Sequence, residues 1–190
     1  MSVLVLASDL IGRPVVTLGG DDIGEVKDVV LGLDQAVLLG FTLRGRRTLS
    51  GPLDRVLPWS NVRAVGRDAV MIDHEAALSD EPLTDSGAGE PVLRLDVVSD
   101  AGNHLGHLRD VVIATGRPPE LVGFDIATEL SEGDSTGRML LPVNEMVAVS
   151  ERALVVPEAA RSFAQRDLTG FGAGFTQYRD QFQAVDHARK

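Results

Sequence analysis

The chain has 190 residues, 44% of them hydrophobic, no cysteine and a formal net charge of −10. The absence of cysteine excludes a disulfide framework, a thiolate metal site and a cysteine nucleophile. The acidic balance argues against DNA or general nucleic-acid binding, which needs a net basic face.

Val, Leu and Ile are plentiful enough for an ordered core, and no run approaches the ~20 apolar residues that span a bilayer. A cytoplasmic protein with no transmembrane segment is expected. After the opening "MSVLVLASDLIG", short apolar runs rich in β-branched residues alternate with Gly, Asp, Asn and Pro. That pattern is one of strands joined by tight turns. It places six strands at 13–18, 23–32, 36–44, 53–57, 62–66 and 69–73, with "PWSNV", which carries Trp59, as a short structural helical turn before the fifth. The stretch "LGGDDIG" supplies Gly20 where a hairpin connection needs positive φ. The acidic, Pro- and Gly-containing segment 76–90, "AALSDEPLTDSGAGE", reads as a linker.

Beyond the linker the first half is restated. "IGEVKDVVLGLD" at 23–34 is answered by "LGHLRDVVIATG" at 105–116. Val15, Val16 and Thr17 fall on Val97, Val98 and Ser99, and Gly20 falls on Gly102. Gly40 and Phe41 fall on Gly123 and Phe124, and Leu57 and Pro58 on Leu141 and Pro142. "RDAVMID" at 67–73 meets "ERALVVP" at 151–157. The chain therefore reads as a repeat at 1–75 and 91–157, followed by a tail at 158–190. A small sheet without helices to cover it must close on itself or pack on its twin, because open edges and a bare apolar face are both costly.

"ASDLIGRPVVTLGGDDIGEVKDVVLGLD", followed by "VLPWSNVRAVGRDAVMID", resembles a PRC-barrel domain, and residues 91–157 resemble a second, more divergent one. This barrel is named for the cytoplasmic domain of the photosynthetic reaction-centre H subunit and also forms the C-terminal half of a ribosome maturation factor. The resemblance implies an all-β fold of two small PRC-type barrels in tandem, with a helical tail, acting as non-catalytic docking modules. Where the maturation factors carry paired aromatics before the "DLIG" phrase, this chain has Ala7 and Ser8, and it lacks the membrane helix of the H subunit. Neither specific function carries over directly.

Several residues stand out as candidates. Asp28 shares the strand parity of Val26 and Val30, and Asp110 that of Leu108 and Val112, so each copy is expected to aim one structural carboxylate inward onto backbone N–H groups. A β-bulge that resets the alternation is the other reading. His104 and His107 have an H-x-x-H spacing, but residues three apart on a regular strand face opposite sides, so no metal site is expected. Arg44, Arg46, Arg47 and Arg55 form the clear basic patch. It either grips an acidic partner, a phosphate or RNA, or is a solvated strand end or pairs with the acidic second barrel.

"LGGDDIG" and "TGFGAGF" lack the strand-to-helix context of a phosphate loop, and no serine stands in a nucleophile motif, so no cofactor and no enzymatic activity are expected. In the tail, Phe175, Tyr178 and Phe182 follow a glycine-rich break at helical spacing. They line a helix that packs on its own barrels, spans a homodimer or docks a protein partner. The expected function is a non-enzymatic adaptor or assembly module that binds another macromolecule through barrel surfaces and the tail. The alternatives are a ribosome or RNA-processing accessory factor and a small-molecule or metal sensor.

Overall fold

The computed structural model describes residues 3–32, 37–45, 52–83, 95–115, 120–128, 137–143, 148–149 and 153–187; for 31, 32, 37, 52, 148, 149 and 182–187 it describes the backbone alone. The first half holds strands β1 (Leu4–Leu6), β2 (Pro14–Thr17), β3 (Asp22–Gly32), β4 (Val37–Arg44), β5 (Pro52–Pro58), β6 (Val62–Val65) and β7 (Val70–Ile72). The second holds β8 (Asp96–Ser99), β9 (His104–Ala114), β10 (Glu120–Thr128), β11 (Gly137–Pro142), β12 (Ala148–Val149) and β13 (Ala153–Val156), then the helix α1 (Leu168–His187). Short 3-10 turns lie at Trp59–Asn61, Glu75–Ala77 and Glu158–Phe163. The fold is all-β with one C-terminal helix, and β2 to β7 fall on the six expected runs to within a residue at each end. Among the described residues no helix is long and apolar enough to cross a membrane.

Two compact units result. The first comprises Leu6–Glu90 with Thr115–Glu120, and the second Met1–Val5, Pro91–Ala114 and Leu121–Lys190. In the first unit the strands pair in the order β5-β4-β3-β2-β7-β6. The second repeats that order as β11-β10-β9-β8-β13-β12 and adds β1 on β9. Strand for strand the two paths are the same. In each copy the first and last long-range partners run parallel, β2 with β7 and β8 with β13, which brings the beginning and end of the copy side by side. Each sheet is barrel-like because a twisted sheet with strongly apolar inner faces curls to bury them.

The shared details extend to the irregularities. β2 meets β3 as Pro14 with Glu25, Val15 with Gly24 and Val16 with Asp22, so Ile23 is an extra residue in the longer strand. β8 meets β9 as Asp96 with His107, Val97 with Gly106 and Val98 with His104, with Leu105 as the extra one. Glycine is required at this bulge. Gly106 has φ of 132°, and a Cβ there would stand 2.2 Å from the Ala127 carbonyl oxygen. The preceding hairpins turn on Gly20 and Gly102, with φ of 91° and 81°, whose N–H groups donate to the carbonyls of Thr17 and Ser99.

Inside the first sheet Val15, Val26, Phe41, Leu43, Leu57, Val70 and Ile72 are fully buried, and Trp59 meets the Phe41 ring edge-on at 5.9 Å. The equivalent interior of the second holds Val97, Val112, Phe124, Ile126, Leu141 and Val156. The two inward-aspartate expectations diverge. Asp110 is buried, and its Oδ1 accepts the Val111 N–H at 2.8 Å. Asp28 is exposed instead, because the β3/β4 register shifts between Val26 and Asp28 and turns its side chain outward. There it accepts from Thr42 Oγ1 at 3.0 Å and pairs with Lys27 at 3.2 Å.

The repeat is also longer than the sequence comparison showed. After β7 and its 3-10 turn, Ser79 exchanges two backbone hydrogen bonds with Val56 on β5, the outer strand of the first sheet. After β13 and its 3-10 turn, Gln165 does the same with Leu140 on β11. Each copy thus blunts its own exposed edge with the segment that follows its last strand. In the second unit that segment continues as α1.

Candidate functional site

The basic patch is placed on β4 and β5 of the first unit, and it is matched from within that unit. Arg44 forms an ion pair with Glu25 on the neighbouring strand. Arg55 pairs through Nη1 with Glu75 at 3.2 Å and through Nε with Asp80 at 3.2 Å, and its Nη2 donates to the Leu78 carbonyl at 3.4 Å. This side chain therefore ties β5 to the 3-10 turn and the edge-covering segment. The expected counter-charges from the second barrel are replaced by local ones, since Glu25, Glu75 and Asp80 come to hand through register and the Ser79 bridge. Arg46 and Arg47 lie outside the described residues.

The tail helix departs from expectation at its start. α1 begins at Leu168 and runs through Gly170, Gly172 and Gly174, where the sequence reads as a break. Close packing explains two of these glycines: a Cβ at Gly174 would stand 2.9 Å from the Phe163 carbonyl oxygen, and one at Gly170 2.9 Å from Gln165 Oε1. The helix lies against β11 and the Glu158–Phe163 turn. Phe171 is fully buried, with its ring pressed on Gly123 of β10. Tyr178 is 1% exposed and meets Phe163 edge-on at 5.4 Å, so it belongs to the core of its own unit and is no free anchor for a partner. Phe175 differs. It is half-buried, stacks on Phe171 at 6.2 Å, and carries the Arg179 guanidinium over its ring at 5.8 Å. The side chain of Phe182 lies outside the described residues.

Covering one outer face has a signature in the strands beneath. β10 is buried at every position from Leu121 to Ile126, whereas β4 of the first copy leaves Leu39 and Thr42 half-buried and Arg44 exposed. The polar exception in β10 is Asp125, whose side chain is 2% exposed. It accepts from Arg109 Nη2 at 2.8 Å and Nε at 3.2 Å, and Arg138 Nη2 lies 3.0 Å away. A buried carboxylate needs such partners. Sequence reading missed this cluster because its members lie on three different strands.

A second cluster was discounted in the sequence. His104 and His107 do not face opposite sides of β9: the bulge at Leu105 and Gly106 inserts one residue between them and returns both imidazoles to one face. Asp96 stands opposite on β8. Its Oδ1 lies 2.9 Å from His107 Nδ1 and 3.4 Å from His104 Nε2, and the rings are 5.4 Å apart. All three are exposed. The hairpin beneath is braced by Glu158, which accepts from Asn103 Nδ2 at 3.1 Å and pairs with Arg161 at 2.6 Å, while its own N–H donates to Asp100 Oδ1 at 2.8 Å. Hydrogen bonds from Ser99 and Asn103, with Arg161 beside them, hold the Glu158 carboxyl down at about 2.

Comparison with known families places this geometry. The sequence model of the PRC-barrel domain matches residues 3–78. That segment is a PRC-barrel domain. The match covers β1 to β7 and the 3-10 turn that leads to the Ser79 bridge. No curated protein matches the chain. Outside the matched segment, the second unit keeps the PRC-barrel strand order, its parallel pair and its bulge. It changes the side chains displayed on them. Where the PRC-barrel domain has Lys27 and Thr42, the second copy has Arg109 and the buried Asp125; where it has Pro14, Asp22 and Glu25, the second copy has Asp96, His104 and His107. A PRC-barrel domain suggests a generic protein-interaction or assembly module, and this chain carries one together with a re-surfaced second copy.

Proposed function

We propose that the protein is a non-enzymatic cytoplasmic adaptor or assembly module that captures a protein partner on the surface of α1, with the second barrel as its support. The observation that carries this reading is the Phe175 and Arg179 pair. The helix commits Phe171 and Tyr178 to the core and leaves the half-buried Phe175 ring under the Arg179 guanidinium, with Thr176, Asp180 and Gln181 exposed nearby in the chain. Aromatic residues and arginine are the side chains most enriched at the centres of protein interfaces. The ribosome or RNA reading has less support, because Arg44 and Arg55 already hold carboxylates of their own unit.

A photo-crosslinking amino acid at Gln181 in the native cell tests the reading. The expected result is one discrete crosslinked polypeptide that disappears with Phe175→Ser and Arg179→Glu, while circular dichroism shows the purified double variant still folded. A product of two copies of this chain would make the surface a self-assembly face. Absence of any product, or one indifferent to the two substitutions, defeats the proposal.

A further inference from the structure

We infer that Asp96, His104 and His107 form a binding site for a divalent transition-metal ion, with zinc as the best match. Each residue offers one donor atom, and these atoms all lie within 4.8 Å of one another; Asp96 Oδ1 faces both His104 Nε2 and His107 Nδ1. Zinc binds imidazole nitrogen and carboxylate oxygen at ~2.0–2.2 Å. Tetrahedral or octahedral angles then set neighbouring donor atoms about 3.0–3.5 Å apart. Two of the three separations here, 2.9 and 3.4 Å, already fall at that spacing. The remaining one closes by rotation of side chains that stand half in solvent, with exposures of 48%, 46% and 51% for His104, His107 and Asp96.

The backbone under the three donors is fixed. The β8/β9 bulge depends on Gly106, and the hairpin is held by the Ser99, Asp100, Asn103 and Glu158 hydrogen bonds. The corresponding bulge in the first copy presents Pro14, Asp22 and Glu25, so the fold does not itself demand histidines there. A set of two nitrogens and one oxygen, with no thiolate, suits Zn²⁺, Ni²⁺ or Cu²⁺ and disfavours Mg²⁺ and Ca²⁺, which take oxygen ligands. Three protein ligands on an exposed hairpin leave further coordination positions open to water or to a donor from outside the chain.

The test is a titration of the full chain with Zn²⁺ by calorimetry, together with Co²⁺ as a spectroscopic probe. The expected result is one saturable ion per chain and a visible Co²⁺ band. The double change His104→Ala and His107→Ala removes the band and weakens Zn²⁺ binding by at least about tenfold, since even the groups that merely orient metal ligands are worth that much. The chain has four histidines, so His74→Ala and His187→Ala serve as controls that leave binding unchanged. Asp96→Asn, which keeps shape and removes charge, weakens binding in the same direction and decides the matter if the double variant fails to fold. Absence of saturable binding, or equal affinity in wild type, double variant and Asp96→Asn, overturns the assignment.

Discussion

Replacing Gly123 by alanine tests whether α1 is structural. In an ordinary strand position this change is neutral or gains about 0.4–1 kcal/mol, because alanine has less conformational freedom to lose. Here the new Cβ would stand 2.4 Å from Phe171 Cζ and 2.6 Å from the Leu141 carbonyl oxygen. Carbon contacts are comfortable near ~3.5–4.0 Å, so the ring has to retreat by about 1 Å from a site where it is fully buried. Overpacking of this kind costs about 1–3 kcal/mol, which reverses the sign. Removing the ring itself, Phe171→Ala, costs about 3–5 kcal/mol. In that background Gly123→Ala loses its clash with the ring and keeps only the one with the carbonyl, so the two penalties combine to less than their sum by about 0.5–3 kcal/mol. Urea denaturation followed by circular dichroism at the helix band reads α1, while fluorescence of Trp59, the chain's single tryptophan, reads the other unit separately. A stabilising or neutral Gly123→Ala, or strictly additive penalties, would show that the ring does not rest on this strand and that the helix is not part of the core.

Asp125→Asn removes the charge shared by Arg109 and Arg138. The expected loss is about 1–3 kcal/mol, below the ~3–5 kcal/mol of a fully buried pair, because the Arg109 and Arg138 side chains are 46% and 33% exposed. Chemical denaturation measures it, and an unchanged midpoint would contradict the arrangement. Glu158 titrates lower in the folded chain, at about 2 against 4.5, so it favours folding fully above pH 4.5 and progressively less as pH falls toward 2. Melting temperatures of wild type and Glu158→Gln should therefore differ at neutral pH and converge across that acid window; a gap that persists at pH 2 would point to some other origin.

How far the residues announced this structure depends on which physical rule was in play. β-branched runs punctuated by Gly20, Asp21 and Asp22 located the strands, because turn chemistry and burial agree there. Simple alternation failed wherever one residue was inserted. Asp28 points outward and His104 joins His107 because of bulges that a count of odd and even positions does not register. Gly170, Gly172 and Gly174 read as a helix breaker at a cost of roughly 1 kcal/mol each, but close packing of Gly170 on Gln165 and of Gly174 on Phe163 and Gln165 favours glycine at two of the three. The carboxylates on Arg44 and Arg55 were invisible for another reason: Glu25 meets Arg44 only through the β3/β4 register, and Glu75 and Asp80 become neighbours of β5 only after the chain has folded back.

The strand β1 has a practical corollary. It hydrogen-bonds to β9, so the leading residues of the PRC-barrel segment are spent on the other unit. No single cut between the halves can therefore release both intact: a fragment ending near 90 keeps a strand with nowhere to pair, and the remainder is left with a bare seam along β9. Tags or truncations at the leading end should accordingly disturb the distant half of the sequence first, and pieces expressed apart should be stickier than the uncut protein.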